Sequence, residues 1–131
     1  MREILFRGKR CDNGEWVQGF YVRADHHWHN NGIHKDWIIC GASANGGWFA
    51  LHNKYAVKAE TVGQFTGLTD KNGKKIFEGD IIQHGKRKGT IFYYGNFGMF
   101  MISWIPNGGA NIFMNVLHTE VEVIGNIHDN P

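Results

Sequence analysis

The dipeptide Asn-Gly occurs five times in this chain of 131 residues, at 13–14, 31–32, 45–46, 72–73 and 107–108. Both residue types tolerate positive φ. A type I′ turn needs that conformation at its two central positions, so that its twist matches the right-handed twist of the strands it joins. A chain punctuated in this way is expected to fold as a series of antiparallel hairpins. Around the first turn, residues 4–10 lead in and residues 15–23 lead out. Period-two alternation sets Trp16, Phe20 and Val22 on one face and Val17, Tyr21 and Arg23 on the other.

The later segments extend the pattern. Residues 37–40 and 48–51 read as short strands around a small-residue loop. Residues 54–65 read as extended, because Val57, Thr61, Val62 and the glycines at 63 and 67 outweigh Ala56 and Ala59, which permit helix. Segments 76–83, 89–94, 99–105, 112–117 and 120–127 are β-branched or aromatic and bounded by turn residues. No long segment has a helical period. The expected class is all-β, a meander of antiparallel strands curled into a barrel to protect its edges. Eighteen glycines suit that many turns, and a hydrophobic content of 42% supplies a core. Four of the five tryptophans and most of the histidines fall in residues 1–60, whereas residues 61–131 alternate strand and turn more regularly. The expected division is an amino-terminal β unit with a His-rich loop, residues 1–60, and a small β-barrel, residues 61–131, with no linker between them.

Three stretches form a recognisable set. The first is residues 2–10, Arg2-Glu3-Ile4-Leu5-Phe6-Arg7-Gly8-Lys9-Arg10, followed by Asn13-Gly14-Glu15-Trp16-Val17. The second, residues 62–82, includes Gln64-Phe65-Thr66-Gly67-Leu68-Thr69-Asp70-Lys71-Asn72-Gly73 and Phe77-Glu78-Gly79-Asp80-Ile81-Ile82. The third is residues 122–131, with Val123-Ile124-Gly125-Asn126-Ile127-His128-Asp129. Together, and in this order, they resemble the YopX family of small phage and prophage proteins. The resemblance implies an all-β fold with a carboxy-terminal barrel; with no linker between the units, the amino-terminal one is expected to pack on that SH3-like or related small barrel. The resemblance also implies a phage or prophage origin, and it brings no activity and no catalytic residues.

Read physically, the second stretch is architecture. Gly67, Asp70, Asn72 and Gly73 have the chemistry of a polar turn in which Asp70 bonds backbone amides, and Glu78-Gly79-Asp80 interrupts a strand where a corner or bulge bends the sheet. The sharper alternative is a carboxylate pair, Glu78 with Asp80, for acid–base work, but a bulge spoils their shared face.

His26, His27, His29 and His34, beside Asp25 and Asp36, are the densest set of metal-ligand types, yet their spacing fits neither a helical zinc site nor a zinc finger. They are weak metal candidates, and no cofactor is expected. Gly67 and Gly73-Lys74-Lys75 miss the phosphate-loop spacing, and Asp70-Lys71-Asn72-Gly73 places its glycine too early for a calcium loop. Ser43 and Ser103 lack a nucleophile context, and Cys11 and Cys40, read as reduced, have no identifiable histidine partner. No export signal or membrane-length apolar run is visible, so the expected compartment is the bacterial cytoplasm, without membrane attachment.

A formal charge of +2 assigns no partner by itself. Lys86, Arg87 and Lys88 are expected at a hairpin tip, and Arg7, Lys9 and Arg10 beside the amino-terminal strand, near exposed aromatics such as Tyr93 and Phe97. Such patches suit a binding surface. The expectation is therefore a non-enzymatic interaction module with a protein partner, compatible with an oligomer. Weak nucleic-acid binding by a small barrel is the alternative, and a metal-dependent enzyme is a distant third.

Overall fold

Alternating apolar and polar residues on either side of Asn13-Gly14 build the first hairpin, in which β1 (Phe6–Lys9) pairs antiparallel with β2 (Trp16–Arg23) from Phe6↔Gly19 to Lys9↔Trp16. The computed structural model describes residues 3–23, 35–40, 54–105, 112–113 and 118–129. The chain divides into two compact units, Glu3–Gln64 and Phe65–Pro131.

In the first unit β2 also pairs with β3 (Asp36–Ile39), and β3 with β4 (Lys54–Ala56), all antiparallel. Gly19 makes the β2–β3 approach feasible, since a Cβ there would lie 2.1 Å from the Ile39 carbonyl oxygen. An isolated bridge, Arg10↔Val57, ties the end of β1 to the end of β4, supported by Cys11 N–H donating to the Ala56 carbonyl and Lys58 N–H to the Lys9 carbonyl, each at 2.9 Å. Trp37, Ile38 and Val57 are buried in this unit.

The expected strand over 54–65 breaks in two. A 3-10 turn at Ala59–Thr61 intervenes, because the chain leaves β3 there and moves to pair with β1. Thr61 fixes the turn: its hydroxyl donates to the Lys58 carbonyl at 2.6 Å and accepts from Lys9 N–H at 2.9 Å. Strand β5 (Gly63–Thr69) then begins by pairing Gly63 and Gln64 with β1.

In the second unit the rest of β5 pairs with β6 (Lys75–Phe77). A five-stranded antiparallel sheet follows in the order β10-β9-β8-β7-β11. Its strands are β7 (Asp80–His84), β8 (Arg87–Tyr94), β9 (Met99–Ile105), β10 (Ile112–Phe113) and β11 (Glu122–Asn126). Ile76, Ile82, Ile91, Ile102, Trp104 and Val121 form its core, with Leu68, Phe100 and Val123 packed against them. Burying each large aliphatic side chain contributes about 1.5–3 kcal/mol.

The all-β expectation holds, with no α-helix among the described residues and none long and apolar enough to cross a membrane. The pairings among these residues leave β10 and β11 as sheet edges, so the second unit is barrel-like without a closed ring of strands. The segment expected as one strand over 76–83 is cut at Glu78-Gly79, and the one over 120–127 starts with a 3-10 turn at His118–Glu120.

The two described Asn-Gly turns are longer than the two-residue type I′ turns expected. Arg10 and Glu15 close a four-residue loop, with Arg10 N–H donating to the Glu15 carbonyl and Gly14 N–H, at φ +74°, donating to the Arg10 carbonyl. Thr69 and Lys75 close the loop around Asn72-Gly73. In both, a side-chain oxygen, of Asn13 or Asp70, captures a backbone amide and so stabilises a wider reversal. The other three Asn-Gly pairs and the strand expected over 48–51 lie outside the described residues.

Candidate functional site

The motif residues of the second unit are spent on the fold. β5 carries two extra residues opposite β6 between Phe65 and Thr69. There Gly67 has φ +88°, and the Thr66 hydroxyl donates to the Ile76 carbonyl at 2.8 Å and accepts from Leu68 N–H, filling the gap in the ladder. Asp70, 5% exposed, accepts at one carboxylate oxygen from the N–H groups of Asn72 and Lys74 and at the other from Val123 N–H, at 2.8–2.9 Å. Burial opposes its ionisation, but the three amide donors, with the nearby Lys74 charge, prevail and hold the carboxyl below its ordinary value.

Gly79, at φ +91°, forms the corner between β6 and β7. It donates to the Ile91 carbonyl at 2.8 Å and accepts from Ile127 N–H at 2.9 Å. Asp80 is 1% exposed, and its carboxylate accepts from Phe77 N–H at 2.7 Å, so Glu78 and Asp80 do not form a solvent-facing pair. Asn126 closes the last turn, accepting from His128 and Asp129 N–H and donating to the Asp129 carboxylate.

The basic residues are largely engaged. Arg7 is buried, its guanidinium 4.7 Å from the centre of a Trp16 ring over which the Lys9 ammonium also lies, at 5.7 Å. Arg10 binds both carboxylate oxygens of Asp12, at 2.9 and 2.6 Å, and stacks 4.4 Å over Tyr55. The Arg10 hydrogen bond holds the Asp12 carboxyl below its ordinary value. Arg10 and Asp12 also line a cavity of about 480 Å³ with Cys11, Trp37, Lys54, Tyr55 and Ala56, and there the two charges pair with each other.

In the second unit Gly85 and Lys86 form the two-residue turn between β7 and β8. Lys86, Arg87 and Lys88 are all exposed, and the Arg87 guanidinium also stacks 4.1 Å over Trp104. Tyr93 and Phe97, at 49% and 60% exposure, lie at the other end of β8, about 20 Å from Arg87 at about 3.3 Å per residue. The fold therefore separates the basic tip from the aromatics.

Around Tyr93 and Phe97 the β8–β9 turn is built of rings. Phe97 and Gly98 N–H both donate to the Tyr94 carbonyl, closing a four-residue turn between Tyr94 and Met99. Tyr93 meets Phe100 edge-on at 5.3 Å, and Tyr94 stacks between Phe97 at 4.9 Å and Phe92 at 6.2 Å. Sequence reading named Tyr93 and Phe97 but missed the signal that unites this element: from Gly89 through Leu117 the chain contains no Asp, Glu, Lys, Arg or His. Burial accounts for part of that depletion, since Ile91, Met101, Ile102 and Trp104 are buried, and leaves Tyr93 and Phe97 as its exposed rings at the turn.

His26, His27, His29 and His34 lie outside the described residues. Among the described ones no three His, Cys, Asp or Glu are grouped to hold a metal. Cys11 and Cys40 are half-buried free thiols whose pKa burial pushes up.

A family model described as "YopX protein" matches residues 5–131. The chain belongs to the YopX family. In this YopX protein the second and third recognisable stretches are bonded to each other, through Val123 N–H to Asp70 and Ile127 N–H to Gly79. The most recognisable part of the sequence is thus a fold signature. The crystal structure of protein EF1440 from Enterococcus faecalis is similar to this YopX chain with a TM-score of 0.54 and 23% identity, covering 100% of this chain and 97% of that one. The likeness is one of fold. No curated protein matches.

Proposed function

We propose that this YopX-family chain is a non-enzymatic phage or prophage accessory module of the bacterial cytoplasm that binds a protein partner through the aromatic tip of the β8–β9 hairpin. The observation that supports this is the exposure of Tyr93 and Phe97 at the turn of a hairpin without charge from Gly89 onward. Large rigid rings gain contact area at little entropic cost, and the absence of charge spares a partner the cost of desolvating one. The surrounding contacts, Tyr93 on Phe100 and Phe97 on Tyr94, hold the rings ready before binding. No cofactor and no membrane enter this reading.

Nucleic-acid binding is the competing outcome, and less supports it. Arg87 is stacked on Trp104, Arg10 is paired with Asp12, and Arg7 is buried. At the basic tip Lys86, Arg87 and Lys88 are all exposed cations, too few for a tight grip on a phosphate backbone.

The deciding experiment captures partners from infected cells with the tagged protein, identifies them by mass spectrometry, and titrates each purified candidate against the parent and a Tyr93→Ser/Phe97→Ser variant. A protein partner whose affinity tolerates moderate salt and falls by about 2 kcal/mol or more in that variant is expected. Nucleic-acid affinity should stay in the non-specific range of about 10⁻⁴–10⁻⁶ M at physiological salt. Submicromolar DNA or RNA binding at that salt, lost when Lys86, Arg87 and Lys88 are changed to Glu in a folded protein, would replace this proposal with the competing one.

A further inference from the structure

Asn-Gly is the dipeptide in which a backbone nitrogen most readily attacks its neighbour's side-chain amide, since glycine leaves the attacking nitrogen unobstructed. The two described copies, Asn13-Gly14 and Asn72-Gly73, are both exposed, but their amides are held differently.

At the first, the Asn13 Oδ1 accepts from Glu15 N–H at 2.9 Å. That bond closes a ring containing both Asn13 Cγ and Gly14 N, and it withdraws electron density from Cγ. The two glycine nitrogens themselves are held alike, Gly14 N–H donating to the Arg10 carbonyl at 3.1 Å and Gly73 N–H to the Asp70 carbonyl at 3.0 Å, with open space where a Cβ would stand at either. The difference lies in the Asn13 side chain and in the amides around Asn72.

At the second, every backbone amide of the turn is engaged. Lys71 N–H donates to the Val121 carbonyl, Asn72 and Lys74 N–H to Asp70 Oδ1, and Gly73 N–H to the Asp70 carbonyl. The side chain that organises this turn is Asp70 rather than Asn72, and its second carboxylate oxygen, bonded to Val123 N–H, ties the turn to β11, so the backbone around Gly73 is anchored from outside the turn as well as within it.

We propose that Asn13 is a site of fold-selected deamidation, while Asn72 is protected by its own turn. Gly14 N loses its proton to hydroxide and attacks Asn13 Cγ. The new C–N bond forms as the Cγ–Nδ2 bond breaks, and Nδ2 leaves as ammonia after taking a proton from water. The resulting succinimide adds water across either of its two C–N bonds and opens to aspartate or isoaspartate. Water is the one co-reactant, no oxidant is needed, and the product places a carboxylate beside Asp12 and Glu15. The isoaspartate form also adds a backbone carbon to the β1–β2 reversal.

The test incubates the intact protein in mildly alkaline buffer. Peptide mapping by mass spectrometry, with fragmentation that separates aspartate from isoaspartate, then follows the amide-to-acid conversion at residues 13 and 72. A parallel sample is unfolded in urea. In the folded protein, conversion at Asn13 is expected to exceed that at Asn72 by about tenfold, because Asn72 must await local opening of a fully bonded turn. In urea the two rates should converge. Equal rates in the folded protein, a faster Asn72, or an Asn13 that converts only in urea would each overturn the proposal.

Discussion

Asp70 joins two elements of the second unit, because one carboxylate satisfies amides of its own turn and of β11. Asp70→Asn keeps the shape but turns an NH2 group toward at least one of these N–H donors. We expect a loss of about 1–3 kcal/mol, read as a lower urea midpoint at unchanged slope. The acid limb of stability should change too. The folded carboxyl lies below its unfolded value of about 4, so its contribution is complete above that pH and is lost as pH falls through the folded value. Melting curves taken downward from neutrality should therefore fall less steeply for the variant; parallel curves would separate Asp70 from that acid dependence. At the corner, Gly79→Val forces a Cβ into a φ of +91° and should cost about 1–3 kcal/mol in the same denaturation assay.

Along β8 the two ends do different work, and single substitutions should tell them apart. Arg87→Glu removes the guanidinium from the Trp104 face and should lower stability by about 0.5–2 kcal/mol in thermal melts. Lys86→Glu and Lys88→Glu, in solvent, should stay within about 0.5 kcal/mol of the parent. The strand itself was legible in the sequence, because Thr90, Ile91, Phe92, Tyr93 and Tyr94 are all β-branched or aromatic. Turn lengths were not. Whether Asn-Gly stands alone at the centre of a turn depends on which side chain captures the neighbouring amides, and for Asp70 part of that decision is made by Val123, far away in sequence. The aromatic tip was half legible. Rings at 93 and 97 could be named, but their exposure follows from where β8 ends, and their separation from Lys86 from its length.

Across the whole chain, β5 serves two ladders in succession: Gly63 and Gln64 pair with β1, and Phe65 and Thr69 with β6. A short Gly-Ser insertion between Gln64 and Phe65 interrupts one strand and loosens an end of each ladder. It should lower the melting midpoint measured by circular dichroism more than the same insertion at Gly95-Asn96, an exposed turn tip. Equal midpoints would mean that the continuity of β5 carries no stability. The bond from Val123 to Asp70 spans 53 positions of sequence, and β11 pairs with β7 across most of the same interval. During synthesis, β7 emerges with one flank lacking its partner until nearly forty further residues have followed. An uncovered strand edge is a template for any other extended chain. The nascent protein therefore passes through an interval in which β7 is the open edge, ending when β11 docks and becomes the edge in its place, and its yield in cells should respond to translation speed and chaperone supply more than its equilibrium stability implies.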